Sequence, residues 1–95
     1  MVFALKQTFL SFAVDNGHLE LVRILIEEFK ADVNIRDDMG YTPLHSAAMT
    51  GDKELVSFLI ARGADKYAKS NDDDEETPFD LAEDEGTKLL LQLKD

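Results

Sequence analysis

Two histidines, His18 and His45, and a run of carboxylates, Asp72-Asp-Asp-Glu-Glu76, are the side chains here best suited to chemistry. Asp72, Asp74, Glu76, Asp80 and Glu83 fall at offsets 1, 3, 5, 9 and 12, an echo of a calcium loop. Such a loop needs glycine at its sixth place to turn sharply. Thr77 stands there instead, and Pro78 after it starts a helix, so half of the loop would be helical. The run is expected to be a solvated acidic turn entering a capped helix, with no metal. The histidines lie in different parts of a chain without cysteine, a poor ligand set for zinc. There is no Gly-x-Ser-x-Gly, no glycine-rich phosphate loop and no His-Glu-x-x-His. Neighbouring solvated acids are not a dyad held in a cleft. The expectation is therefore no catalytic residue, no cofactor and no enzyme activity.

What positions these residues is an internal repeat. Thr8-Phe-Leu-Ser-Phe-Ala13-Val-Asp-Asn-Gly17, Thr42-Pro-Leu-His-Ser-Ala47-Ala-Met-Thr-Gly51 and Thr77-Pro-Phe-Asp-Leu-Ala82-Glu-Asp-Glu-Gly86 align without gaps. Ala31-Asp32 and Ala64-Asp65 form a second landmark. The alignment puts one extra residue near Glu28–Lys30 and two in Ser70–Glu76. Thr42 before Pro43 is a helix start: the hydroxyl caps free N–H groups and proline takes the first helical position. Leu44 is the large apolar residue of this motif, and Ala47 and Ala48 let another helix approach closely. Gly51 ends the helix in a tight turn. Thr77 and Pro78 repeat the start. A second helix follows, with Leu19, Val22, Ile24, Leu25 and Ile26 in the first unit and Leu55, Val56, Phe58, Leu59 and Ile60 in the second on a broad buried face. Phe12 and Leu81, at matching helix positions, and the Leu89–Leu91 run are expected in the core rather than at a ligand. Asp37-Asp-Met-Gly40 reads as a turn between units. His45 should tie one unit to the next, and His18 should bond a nearby loop backbone. A helix pair this small cannot bury its own apolar face, so the units must stack into an all-α solenoid.

On these residues the chain resembles an ankyrin-repeat protein. Gly40-Tyr-Thr-Pro-Leu-His-Ser-Ala-Ala48, Gly17-His-Leu-Glu-Leu-Val22 and Gly63-Ala-Asp65 carry the resemblance, which covers residues 8 to about 93. It implies one ankyrin-repeat domain over residues 1–95, as a short solenoid of stacked antiparallel helix pairs. Repeat 1 covers about 3–36, repeat 2 about 37–69 and repeat 3 about 70–95, with both terminal repeats incomplete. The first unit has Phe9 and Ser11 where the family has proline and histidine, and Phe3-Ala-Leu-Lys-Gln7 in place of a turn. The alignment sets Lys94 and Asp95 of the last unit opposite Leu59 and Ile60. The opening MVFALKQTFLSFAV is broken by Lys6 and Gln7, has no basic start and is followed by Asp15 and Asn16. It is expected as an amphipathic first helix rather than a cleaved signal. A natural cap presents a polar outer face. Phe3, Leu5 and Phe9 at one end and Leu89 at the other do not, which predicts a longer array or end-to-end packing on another chain.

In this family the turns and first helices line a concave surface that grips a partner protein. The resemblance therefore implies a binding surface of Arg36, Asp38, Met39, Tyr41, Met49 and Thr50 around the middle unit. Asp15 and Asn16 match in the first unit, and Lys69, Glu76, Asp84 and Glu85 in the last. Tyr41, Met39 and Met49 are the expected apolar contacts. The chain carries 20 acidic and 10 basic residues, net −10. Residues 1–69 hold 10 acids and 8 bases, whereas residues 70–95 hold 10 acids and 2 bases. The acidic turn Asp72, Asp73, Asp74 and Glu76 with Asp84 and Glu85 predicts a partner with apolar anchors and a basic end. The same charge argues against nucleic acid and anionic membranes, and no run is long enough to span a bilayer. Absence of cysteine and the family resemblance suggest an intracellular protein, cytoplasmic or nuclear. Thr77-Pro-Phe-Asp-Leu-Ala-Glu-Asp-Glu85 with Leu90-Leu-Gln92 is also similar to the closing repeat of myosin-phosphatase-type targeting subunits, which implies a regulatory role on a type-one serine/threonine phosphatase. Those proteins dock the enzyme through a basic-Val-x-Phe segment ahead of the repeats. The nearest match here, Val56-Ser-Phe58, lacks the basic residue and falls on a helix face expected to be buried.

Overall fold

The computed structural model describes the backbone of residues 2–92 and the side chains of residues 9–92. Its elements are α1 (Val2–Asp15), α2 (Leu19–Glu27), α3 (Pro43–Thr50), α4 (Lys53–Ala61), α5 (Pro78–Leu81) and α6 (Glu85–Leu90), with no strand among the described residues. α1 packs on α2 and α3, α3 packs on α4 and α5, and α4 packs on α6. The inner row is thus α1, α3, α5 and the outer row α2, α4, α6, an all-α stack of three units.

Local chemistry explains where each helix begins. Thr42 Oγ1 accepts from the His45 amide while His45 Nδ1 accepts from the Thr42 amide, a reciprocal capping box with Pro43 at the first position. Thr77 and Asp80 repeat that box at the head of α5. Asp52 caps α4 through the Leu55 amide, and Asp84 caps α6 through the Thr87 amide. Gly51, at φ 77°, supplies the left-handed residue that closes α3. The Ala31-Asp32 and Ala64-Asp65 landmarks are outer-helix endings: both alanines are buried, and each aspartate accepts the amide two residues on, from Asn34 and Tyr67.

One core runs through the stack. Leu10, Ala13 and Val14 of α1 meet Val22 and Leu25 of α2, and Leu44, Ala47, Ala48, Leu55, Val56 and Leu59 fill the middle unit. Ala47 and Ala48 are buried on the helix that has inner-row neighbours on both sides, as close approach requires.

Several features differ from the sequence reading. α1 runs through Thr8 without a break, because Phe3-Ala-Leu-Lys-Gln7 contains no proline or glycine and the helix already begins at Val2. Phe12 is 53% exposed rather than in the core. Its counterpart Ser46 lines the gap facing α1, and α1 has no such neighbour on that side among the described residues. Ile24 is exposed and Leu81 half-buried, and of the Leu89–Leu91 run Leu89 and Leu90 are exposed while Leu91 is in the core. The third unit deviates most. Gly86 does not end a helix but lies in the first turn of α6. Asp84 caps α6 ahead of it, and α5 is only 4 residues against 8 in α3. The shortening therefore sits inside the first helix. It brings Leu91, fully buried, into the place of Leu59; Lys94 and Asp95 lie outside the described residues.

Candidate functional site

The turns between units form the side of the molecule on which most sequence-derived binding residues lie. Arg36 is pinned there: its guanidinium donates to the carbonyls of Gly40 at 2.9 Å and Lys69 at 2.7 Å. Asp37 Oδ1 accepts the amides of Met39 and Tyr41, closing the turn. The Asn71 amide then donates to the Met39 carbonyl at 2.7 Å, joining this turn to the next. Gly40, at φ 84°, is forced: a Cβ there would lie 2.6 Å from the Asn71 nitrogen.

The acidic turn is built on these contacts. Tyr41 donates its phenolic proton to Asp72 Oδ2 at 2.8 Å, with Glu76 Oε1 3.2 Å away. Its ring stands edge-on to His45, centroids 5.2 Å apart. The bond to Asp72, then burial, push the Tyr41 phenol up to about 12. Asp72 also accepts from the Ser70 hydroxyl at 2.6 Å, and Ser70 before Tyr41 holds its carboxyl below the ordinary range. The Thr42 amide can only donate, so His45 Nδ1 accepts and the imidazole proton sits on Nε2. Nε2–H then donates to the Glu76 carbonyl at 2.7 Å. Burial holds this imidazole below the usual histidine value. His45 thus links the middle helix start to the third unit. His18 makes no side-chain cap bond, and its ring lies 6.0 Å from that of Phe12.

Asp72, Asp74 and Glu76 each offer an oxygen within 4.8 Å of the others, a dense negative spot in which Asp72 already serves Ser70 and Tyr41. Asp73, Asp74 and Asp38 are exposed. Met39 is 49% and Met49 55% exposed, and Thr50 turns its hydroxyl to the Ala47 carbonyl. Asp84 and Glu85 are not part of this group. Asp84 accepts the Thr87 amide and hydroxyl and pairs with Lys53 at 3.2 Å, which together draw its carboxyl down to about 2. A cleft of about 250 Å³ opens beside Tyr41, between Ser11, Val14 and Asp15 of α1 and Pro43 and Ser46 of α3.

Several joints were missed in the sequence. Asn34 binds the next unit like a backbone strand: Nδ2 donates to the Gly63 carbonyl at 3.1 Å and Oδ1 accepts the Asp65 amide at 2.8 Å. Asn71 joins the third unit to the middle one through its amide on the Met39 carbonyl, whereas Ser70 braces the acidic turn from within, through Asp72 and Glu76. Their only local sign is small polar residues heading a turn, which reveals neither set of partners.

The family model describing ankyrin repeats, in 3 copies, matches residues 3–70. Human protein phosphatase 1 regulatory subunit 27 is 38% identical over 82 residues, 86% of this chain and 51% of that protein. Human ankyrin repeat domain-containing protein 49 is 46% identical over 59 residues, 62% of this chain and 25% of its own length. Alpha-latrocrustotoxin-Lt1a of Latrodectus tredecimguttatus is 39% identical over 77 residues, 81% of this chain and 5% of the toxin. This chain thus spans about half or less of each of these relatives. Paired helices stacked in two rows, the capping boxes and the matched residues agree: the chain belongs to the ankyrin-repeat family.

Proposed function

We propose that the chain is a non-catalytic module that binds a partner protein across the turn side of its second and third units. Protein interaction is what the ankyrin family supports. The observation that carries the finer reading is the pairing of two chemistries. Met39, half-exposed, sits on a turn hydrogen-bonded to Asn71, directly before the carboxylates of Asp72, Asp74 and Glu76. Apolar contacts beside a negative cluster suit a segment with apolar anchors and a basic end. Tyr41 contributes differently from the sequence expectation: its hydroxyl is committed to Asp72, so it shapes the surface more than it offers a free donor. Met39→Ala and Met49→Ala should speed dissociation of partners captured from lysate. Asp73→Asn with Asp74→Asn should slow association and flatten its salt dependence. Unchanged kinetics in both sets would sink this surface.

A second reading, regulation or targeting of a type-one phosphatase, is favoured by the similarity to protein phosphatase 1 regulatory subunit 27. It would need a docking segment other than Val56-Ser-Phe58, because Val56 is 0% exposed in α4. Calorimetry with the phosphatase catalytic subunit, giving heat that survives Phe58→Leu, would support it; no heat at all would refute it. A third reading is end-to-end stacking within a longer scaffold. It is favoured by Phe9 and Phe12, exposed at the positions where Pro43 and Ser46 meet the first unit.

A further inference from the structure

The outer helices carry a second, chemically different surface. An open groove of about 650 Å³ crosses them, lined by Leu19 of α2, Lys53, Glu54 and Ser57 of α4, and Leu89 and Leu90 of α6. Gly86 completes it: a Cβ there would run into the Lys53 side chain, so α6 lies close against α4.

Leu89 is 63% exposed, and the repeat shows that this is not an end effect. Asp52 and Asp84 cap the outer helices, and Leu59 and Leu91 are the fully buried residues at the same step beyond them. In that register Leu89 stands where Ser57 stands. The first unit has Arg23 at this position. Ser57 is exposed although its unit has neighbours on both sides. A further repeat stacked beyond the third would therefore leave Leu89 in water. Packing does not demand leucine here, because two of three units use polar residues.

Charge points to the occupant. Lys53 is engaged by Asp84 at 3.2 Å. Glu54 in the groove has no ion-pair partner among the described residues, nor has Glu85, next in sequence to the groove-lining Gly86, and the half-buried Lys88 is the cation of α6. The apolar floor is thus edged by the uncompensated carboxylate of Glu54 on a chain of net −10. We propose that this groove docks an amphipathic segment of a partner protein, seating neighbouring apolar side chains on Leu89, Leu90 and Leu19 and placing lysine or arginine against Glu54 and Glu85. This surface is separate from the turn side and does not depend on it.

The test uses the full chain and a labelled amphipathic helical peptide with leucine on one face and lysine on the other. The expected result is binding with methyl NMR shifts centred on Leu19, Leu89 and Leu90, weakened at least tenfold by Leu89→Ser and further by Leu89→Arg. Thermal midpoints of both variants should match the parent, since the side chain is exposed. Absent binding, equal binding of a leucine/glutamate peptide of the same pattern, shifts centred on Met39 and Met49, or full binding by Leu89→Ser would each overturn the proposal. Two further outcomes would overturn it by naming another occupant. Self-association in sedimentation that Leu89→Ser abolishes would assign the groove to a second copy. Binding to phosphatidylcholine vesicles containing phosphatidylserine would assign it to a membrane.

Discussion

His45, Tyr41 and Asp84 each hold an inter-unit joint in one protonation state, and the sign of each shift gives a pH window. His45 is held neutral, accepting at Nδ1 and donating from Nε2. Its folded value lies below the ordinary one, so the unfolded chain takes up a proton first as pH falls. Its contribution is complete well above about 6.5 and is lost below that value. Tyr41 works the other way. Its phenol, raised to about 12, contributes fully below pH 10 and loses that contribution as pH rises from 10 towards 12. Asp84, drawn from 3.8 to about 2, contributes above pH 3.8 and loses its part as pH falls towards 2. Thermal midpoints measured from pH 2 to 12 should therefore be highest between about 7 and 10. Tyr41→Phe should lower the midpoint at neutral pH and reduce the drop between pH 10 and 12; an undiminished alkaline drop would remove Tyr41 from the account.

At the scale of elements, the stack is governed by how each helix is started and stopped. Thr77→Ala removes one half of the box at the head of α5, a helix of 4 residues with little else to hold it. The expected loss is about 1 kcal/mol, read as a shift of the urea midpoint. α2 ends less well than α4. Lys30, at φ 59°, takes the left-handed conformation that Gly63 takes at φ 97°, directly after the extra residue that the alignment placed near Glu28–Lys30. A lysine pays a steric penalty there that glycine does not. Lys30→Gly should raise stability by about 0.5–1 kcal/mol despite the greater freedom it gives the unfolded chain. A loss on the same measurement would show that the Lys30 bond to the Glu27 carbonyl matters more.

The whole molecule is unevenly built. The third unit has inner and outer helices of 4 and 6 residues, against 8 and 9 in the second. It also carries most of the net charge, with 10 acids and 2 bases in residues 70–95. Self-repulsion and a thin core should make it the first part to open. Amide exchange in α5 and α6 should be fastest below the global limit, with α3 and α4 the slowest. Raising NaCl from about 0.02 to about 0.5 M should screen the acids and raise the thermal midpoint. Equal protection across the units, or a salt-insensitive midpoint, would contradict this gradient.

The repeat was legible in the sequence because its signals are local: a hydroxyl or carboxylate three residues ahead of the amide it caps, proline at a first turn, glycine where the chain reverses. Thr42-Pro-Leu-His45 specified a helix start without any partner. Whether Tyr41 and Arg36 are free to meet a ligand was not legible. Their bonds reach Asp72, Glu76 and Lys69, 31, 35 and 33 residues away. The third unit shows the same division. Asp84 and Thr87 are both good capping residues, and local chemistry alone does not choose between them. Tertiary packing chooses Asp84: it lies against Gly51, pairs with Lys53 and brings Leu91 into the core. Local hydrogen bonding determined the family of fold. Contacts between units decided which side chains are committed to the stack and which, such as Met39, Asp73, Asp74 and Leu89, face solvent.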